Sequence, residues 1–340
     1  MSARVVAYVA ILGVACIAAL AAWPQTGQTP ESASKPYTAP RNSFGQPDFA
    51  GAWANNNATP LQRPARWADK ELLTDAELEA VKSAVRQLEK DGDALFGDEL
   101  ITDAIDGNEK AQSHDTQTGN YNGFWLPARV FERRTSLIID PPNGRIPQQT
   151  PEAQSRRAAA AEQRRLHPAD GPTNRGLSER CITFGVPRLT AAYSSVFQVV
   201  QSPNEVVFVM ETIHDARVIP LDGRPHLPSS LAQWDGNSRG HWEGDTLVVD
   251  TTGFSPKSDM MGSSTGLHLV ERFTRVAPDV LQYDVTMNDP ATWTQPWTVR
   301  LALKQSNEPL LEYACHEGNL GMFGILAGAR KEEADARAKK

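Results

Sequence analysis

The sequence predicts a mainly β protein, an antiparallel meander that closes into a barrel or stacks as a sandwich, with two or so peripheral helices. Three observations carry this. From Ser195 onward the chain is a series of short strand-like runs separated by turn residues, with no helical pattern between them. The longer runs alternate apolar and polar: Leu281, Tyr283, Val285 and Met287 share one face, and so do Trp297, Val299, Leu301 and Leu303. Helix signatures are confined to two stretches before that series. A meander of many short strands removes its exposed edges by closing or by stacking.

Taken in order, residues 1–22 read as a secretory signal, with Arg4, an apolar run from Val5 to Leu20 and a small-residue cleavage site at Ala19-Leu20-Ala21. The rival reading is a retained membrane anchor, since the run is long for a signal. Residues 23–42, rich in Pro, Ser, Thr and Gln, form a disordered linker. A single domain spans 43–330, and 331–340 is a charged tail. Thr74-Asp75-Ala76-Glu77 is a capping box, and Leu78, Val81, Val85 and Leu88 follow at helical spacing, with an end near Asp91-Gly92. The acidic, Gly-rich span from Asp91 to Gly119 is loop. Arg134–Asp140 is a strand, Pro141-Pro142-Asn143-Gly144 a turn, and Arg145–Pro147 a short extended piece. Thr150 caps a second helix with Pro151 at its first position, running to about Leu166 as a solvated surface helix.

The strand runs after Ser195 are Val196–Gln201, Glu205–Ile213, Ala216–Leu221, Gly240–Trp242, Thr246–Thr252, Leu267–Val276, Val280–Asn288, Trp297–Gln305 and Leu310–Glu317. If Val207 and Val209 face inward, so do Glu211 and Ile213.

The 340 residues carry a net charge of −7, which argues against a nucleic-acid partner. No apolar run after the leader is long enough to span a membrane, so no stable insertion is expected once the leader is cleaved, and the location is periplasmic or secreted. Cleavage leaves Cys181 and Cys315. In an exported protein such a pair reads as one disulfide, two buried thiols being the alternative.

Several blocks resemble, in the same order, segments of a large family of exported, functionally unassigned bacterial proteins: RTSLIIDPPNGRIP (Arg134–Pro147), IHDARVIPLDGRPH (Ile213–His226), WEGDTLVVDTTGF (Trp242–Phe254), LHLVERFTR (Leu267–Arg275) and YACHEGN (Tyr313–Asn319). The resemblance covers about Phe44 to Arg330. It implies a compartment and a domain extent and assigns no chemistry. A looser likeness runs to lipocalin-type barrels, through Gly51-Ala52-Trp53 after the acidic Asp48, where the Trp would close one end of the barrel floor.

The candidate catalytic residues are His214, Asp215, Arg217, Glu271 and His316. Adjacent His, Asp and Arg offer a proton carrier, a carboxylate to tune it and a clamp for an anion. Because neighbouring strand residues point to opposite faces, His214 and Asp215 can act together only if the strand bends. Glu271 sits between Leu269 and Phe273 on an apolar face. It is either a general acid or base, or the partner of an inward arginine, Arg217 or Arg300. His316 and Glu317 follow Cys315, which would anchor them. Tyr121, Asn122, Trp125, Trp234 and His268 are candidate substrate contacts; the other tryptophans are read as core, and His226 and His241 as surface. The histidines show no local metal-ligand spacing, so neither metal nor cofactor is expected. No phosphate-cradling glycine loop and no Gly-x-Ser-x-Gly elbow occurs. The expectation is an exported enzyme doing metal-independent acid–base chemistry (lyase, isomerase or hydrolase) on a small glycoside or aromatic compound. A small-molecule carrier on the same scaffold is the alternative.

Overall fold

The computed structural model describes residues 37–88, 128–189, 195–258 and 260–339. The leader, most of the linker, the 91–119 loop and the contacts expected from Tyr121, Asn122 and Trp125 lie outside the described residues. Tyr37–Lys340 form one compact unit, so the folded chain begins within the Pro-rich stretch that reads as linker; Ala39 is already buried.

The strands are β1 (Gly51–Ala54), β2 (Ile138–Asp140), β3 (Val196–Gln201), β4 (Glu205–Met210), β5 (Ala216–Pro220), β6 (Asn237–Glu243), β7 (Thr246–Thr252), β8 (His268–Ala277), β9 (Val280–Asn288) and β10 (Trp297–Ser306). All belong to one ten-stranded sheet of order β5-β4-β3-β1-β10-β9-β8-β7-β6, with β2 added to β10. Every pairing of named strands is antiparallel. Two meanders, β3–β5 and β6–β10, are thus joined by β1, which the N-terminal chain inserts between β3 and β10. The hydrogen-bonded ladder is not closed. Its two ends, β5 and β6, meet through side chains: Arg217 Nε donates to Ser238 Oγ at 3.0 Å, and Gly240 has no Cβ where one would stand 2.7 Å from Ile219 Cγ2. The sheet is therefore curled, with its ends in side-chain contact.

Alternation sets the inner face as expected in β8, β9 and β10, where Leu269, Phe273, Leu281, Val285, Met287, Val299 and Leu301 are buried. Trp53 is fully buried. Its indole N–H donates to the Phe49 carbonyl, and the Arg275 guanidinium lies over its ring. In β4 the inner residues are Val206 and Phe208, not Val207 and Val209. The run Val206–Val209 is apolar throughout and carries no phase of its own; the register against β3, with Val199 opposite Phe208, decides it.

Helix α1 (Asp75–Leu88) starts on the predicted box: Thr74 N donates to Glu77 Oε2 at 2.8 Å, and Glu77 N to Thr74 Oγ1 at 3.3 Å. Val81 and Val85 pack with Ala58 and Leu73 in a small satellite core. Helix α2 (Pro151–Leu166) is capped by Thr150 and buries only Ala153. Two expectations fail near the C-terminus. Leu310–Glu317 is not a strand: Leu311 is half exposed, and backbone bonds there are local, as in Gly318 N to Ala314 O. The segment is held by other means. The Leu311 N–H bonds the buried Glu211 carboxylate, and Cys315 is joined to Cys181, 134 residues earlier, in the expected disulfide. The tail is likewise part of a helix, α3 (Leu320–Ala338), with the Asn319 side chain accepting from Met322 N. Among the described residues, no helix is long and apolar enough to cross a membrane.

Candidate active site

Inside the curl lies a cavity of about 210 Å³. Phe197, Phe208, Phe273, Tyr283 and Leu303 wall it from the strands, and the segment 184–189 closes its open side. Such apolar walls with a few convergent polar groups characterise small-molecule sites.

Besides Glu271, two carboxylates reach this cavity, by different devices. After β4 the chain makes one tight turn, Thr212–His214, in which Ile213 (φ 61°) and His214 (φ 56°) are both left-handed. For a β-branched residue this backbone is costly, about 1–3 kcal/mol. It breaks the strand alternation, so that Asp215 lines the cavity while His214 does not. Asp235 is set by its neighbour Gly236 (φ 69°), where a Cβ would lie 2.8 Å from Thr251 Cγ2 and 2.9 Å from Thr252 O, so the loop can pack this closely only with glycine.

The Thr183 hydroxyl lies 2.8 Å from Asp215 Oδ2 and 3.0 Å from each Asp235 oxygen, which places the carboxylates no more than about 6 Å apart. That hydroxyl has one proton and can serve only one of them at a time. Burial, a hydrogen bond with Asp215 and the charge of Asp215 push the Asp235 pKa up to about 7. Burial and the Asp215 charge thus favour the protonated form of Asp235, and near pH 7 part of the population carries Asp235 as a carboxylic acid.

Facing the pair is Arg188. Its Nη1 donates to Thr212 Oγ1, its guanidinium lies 5.4 Å from the Phe184 ring centroid, and its carbonyl accepts from Asn55 Nδ2. Burial draws its pKa down while the charges of Asp215 and Asp235 draw it up; an arginine stays cationic in either case. Arg188 Nη2 and Ser195 Oγ, both from cavity-lining residues, are buried without a protein hydrogen-bond partner. Two unmatched polar groups of this kind are what a polar ligand atom would satisfy.

Behind the cavity a second network is fully matched. Arg217 grips Glu271 with both terminal nitrogens, one at 2.9 Å, and its other contacts are Ser238 Oγ and Thr251 Oγ1. Tyr283 donates to Glu271 Oε1 at 2.7 Å, and burial together with the Glu271 charge raises the Tyr283 pKa well above its usual value, keeping the phenol a donor. Of the two arginines considered for Glu271, Arg217 is the partner; Arg300 pairs with Asp284 instead. With its donors engaged, Arg217 is a poor anion clamp. Arg188 has the geometry for that task.

Of the candidate residues, the fold brings Asp215, Arg217 and Glu271 to the cavity wall. It does not bring the histidines there. His214 is exposed, 3.9 Å from Glu312, and His316 is exposed beside the disulfide. His268 lies on the outer face, where Asp250 bridges it at 2.5 Å to His226 at 2.8 Å. Trp234 is partly exposed beside a second, larger cavity. Four groups went unnoticed in the sequence: Thr183, Arg188, Ser195 and Asp235. Only Asp235 left a trace, in the Trp234-Asp235-Gly236 triplet, which reads as an ordinary turn. Among the described residues, no three His, Cys, Asp or Glu side chains gather as a metal site.

The fold and site define a class: a curled antiparallel sheet around an apolar cavity with two carboxylates meeting on one hydroxyl. Comparison with protein-family models, curated proteins and solved structures finds no match for the chain.

Proposed function

We propose that this protein is an exported enzyme performing acid–base chemistry on a small glycoside or aromatic compound, on a lipocalin-like barrel whose seam between β5 and β6 is stitched by side chains. The single observation that carries the reading is the Asp215–Asp235 pair, both members bonded to the Thr183 hydroxyl in an apolar cavity, where burial raises the Asp235 pKa. An elimination uses both members. The Asp215 carboxylate removes a proton from carbon as the C–O bond to the leaving group breaks, Asp235 protonates the departing oxygen, and a C=C bond forms. An isomerisation uses the same base and acid at two carbons. Arg188 faces the oxygen on which negative charge develops. The disulfide fits an oxidising compartment, in line with the leader-like N-terminus.

The test is mass analysis after incubating the purified protein with pooled plant and bacterial metabolites. A mass change with the native protein and none with Asp235→Asn is the expected result. Turnover unchanged by Asp235→Asn would remove the pair from the chemistry. The apolar walls favour a carrier as the second reading. In that case a small molecule co-purifies unaltered and Asp235→Asn binds it as well as the native protein does.

A further inference from the structure

We infer that the substrate carries an anionic group, a carboxylate, sulfate or sulfonate, which docks in the second cavity while the rest of the molecule enters the first. The inference rests on the proposed reading of the inner cavity and specifies its substrate class.

The second cavity, of about 890 Å³, lies between α2, the 173–178 segment and the 254–263 loop. The same segment walls both cavities: Phe184, Gly185, Val186, Pro187 and Leu189 line each of them, and Thr183 lines the second. Thr183 is also the residue whose hydroxyl joins the two carboxylates. A molecule resting in the outer cavity therefore needs only to pass the half-exposed Phe184 to reach the carboxylate pair.

Arg164, Arg175 and Lys257 line the outer cavity beside the His167 ring, and no described carboxylate does, although acidic residues outnumber basic ones, 41 to 34, over the whole chain. Two of these are already engaged: Arg175 pairs with Glu179, and His167 with Asp170. Among the described residues, the side chains of Arg164 and Lys257 have no hydrogen-bond or ion-pair partner, and Arg175 Nε is buried without one. In an acidic protein, a concave site whose described residues include unpaired cations and no lining carboxylate selects for negative charge. Trp234 at its margin, next in sequence to Asp235, offers an aromatic face to whatever passes. The predicted ligand is amphiphilic, with an apolar or sugar ring for the inner cavity and an acidic group held by Arg164 and Lys257.

The experiment compares two fluorescent probes on the purified full chain: 8-anilino-1-naphthalenesulfonate and N-phenyl-1-naphthylamine, the same ring framework with and without a sulfonate. At low salt the sulfonate is expected to bind roughly five- to tenfold tighter, two exposed ion pairs of middling strength. The preference should shrink toward unity as salt is raised. Arg164→Gln/Lys257→Gln should weaken the sulfonate to the level of the neutral probe and leave the neutral probe unchanged. Should the double variant fold poorly, Lys257→Gln alone should give about a two- to threefold loss of the sulfonate only. Equal affinities in the native protein, or equal losses of both probes in a folded variant, would overturn the inference. Asp235→Asn is expected to keep the sulfonate preference, so the docking site can fail without the catalytic reading and the catalytic reading without it.

Discussion

At the scale of single residues, Asp235 carries opposite demands. Its folded pKa, about 7, stands above the value near 4 of an unfolded aspartate. Between those two values the folded state holds a proton that the unfolded state has lost, so its contribution to stability is complete below about pH 4 and falls away as pH rises to about 7. The cost above pH 7 is at most about 4 kcal/mol, less with the solvent screening of a half-buried group. Asp235→Asn should therefore lower turnover by about 10²–10⁴-fold and yet raise the urea midpoint at pH 8. The two proteins should converge near pH 4. A wild-type stability that rises with pH over that interval, or an Asn variant weaker at pH 8, would contradict the raised pKa of Asp235.

Arg188 and Arg217, both on the cavity wall, should part company under mutation. Arg188→Ala leaves no paired carboxylate behind and should cost about 10²–10³-fold in turnover with little change in melting temperature. Arg217→Met strands the buried Glu271 and should cost about 3–5 kcal/mol in chemical denaturation, most of it recovered in Arg217→Met/Glu271→Met. The sequence marks Glu271 because a charge on an apolar strand face breaks alternation, and Arg217 because it stands in a cluster with His214 and Asp215. It does not mark Arg188 or Thr183, because nothing periodic surrounds them; their position comes from chain folded against the sheet, a long-range consequence that no local pattern records.

At the scale of elements, the strands from β6 to β10 were legible because one face is dry and one is wet. Their boundaries followed from Gly244 at the β6–β7 turn and Pro278-Asp279 between β8 and β9. Strands β4 and β5 were legible too, but not the phase of β4 or the turn after it: five consecutive apolar residues, Val206–Met210, give no phase, and a left-handed Ile213 has no sequence signature. The segment after Asn307 reads as a strand by composition, yet its partner is a disulfide rather than a ladder. The loop before β6 depends on Gly236. Gly236→Ala, which brings both a positive φ and a clash against Thr251 and Phe254, should lower stability by about 1–3 kcal/mol and displace Asp235. Turnover should fall more than the loss of folded protein explains, measured as activity per mole of folded enzyme at a temperature well below the melt.

At the scale of the whole molecule, one covalent bond couples the C-terminal chain to the wall between the two cavities. Cys181 precedes Thr183 by two residues, and Cys315 follows Tyr313, whose ring meets Phe184 edge-on at 6.2 Å. Asn319 adds a bond to the Glu179 carbonyl. The segment 178–189 therefore owes its place to contacts made more than a hundred residues later, and with it Thr183 and Arg188. In the chain-entropy account a cross-link between residues 134 apart contributes up to about 4–5 kcal/mol against unfolding. The sheet itself does not need it, since neither cysteine lies in a strand. Cys181→Ser/Cys315→Ser should then keep the far-ultraviolet signature of the sheet and lower the denaturation midpoint, while hydrogen exchange accelerates selectively across 178–189 and 310–319. Binding of both naphthyl probes should weaken together, because the loosened segment walls both cavities. Exchange that quickened evenly over the strands would instead mean that the bond serves the sheet as a whole and that the wall stands without it.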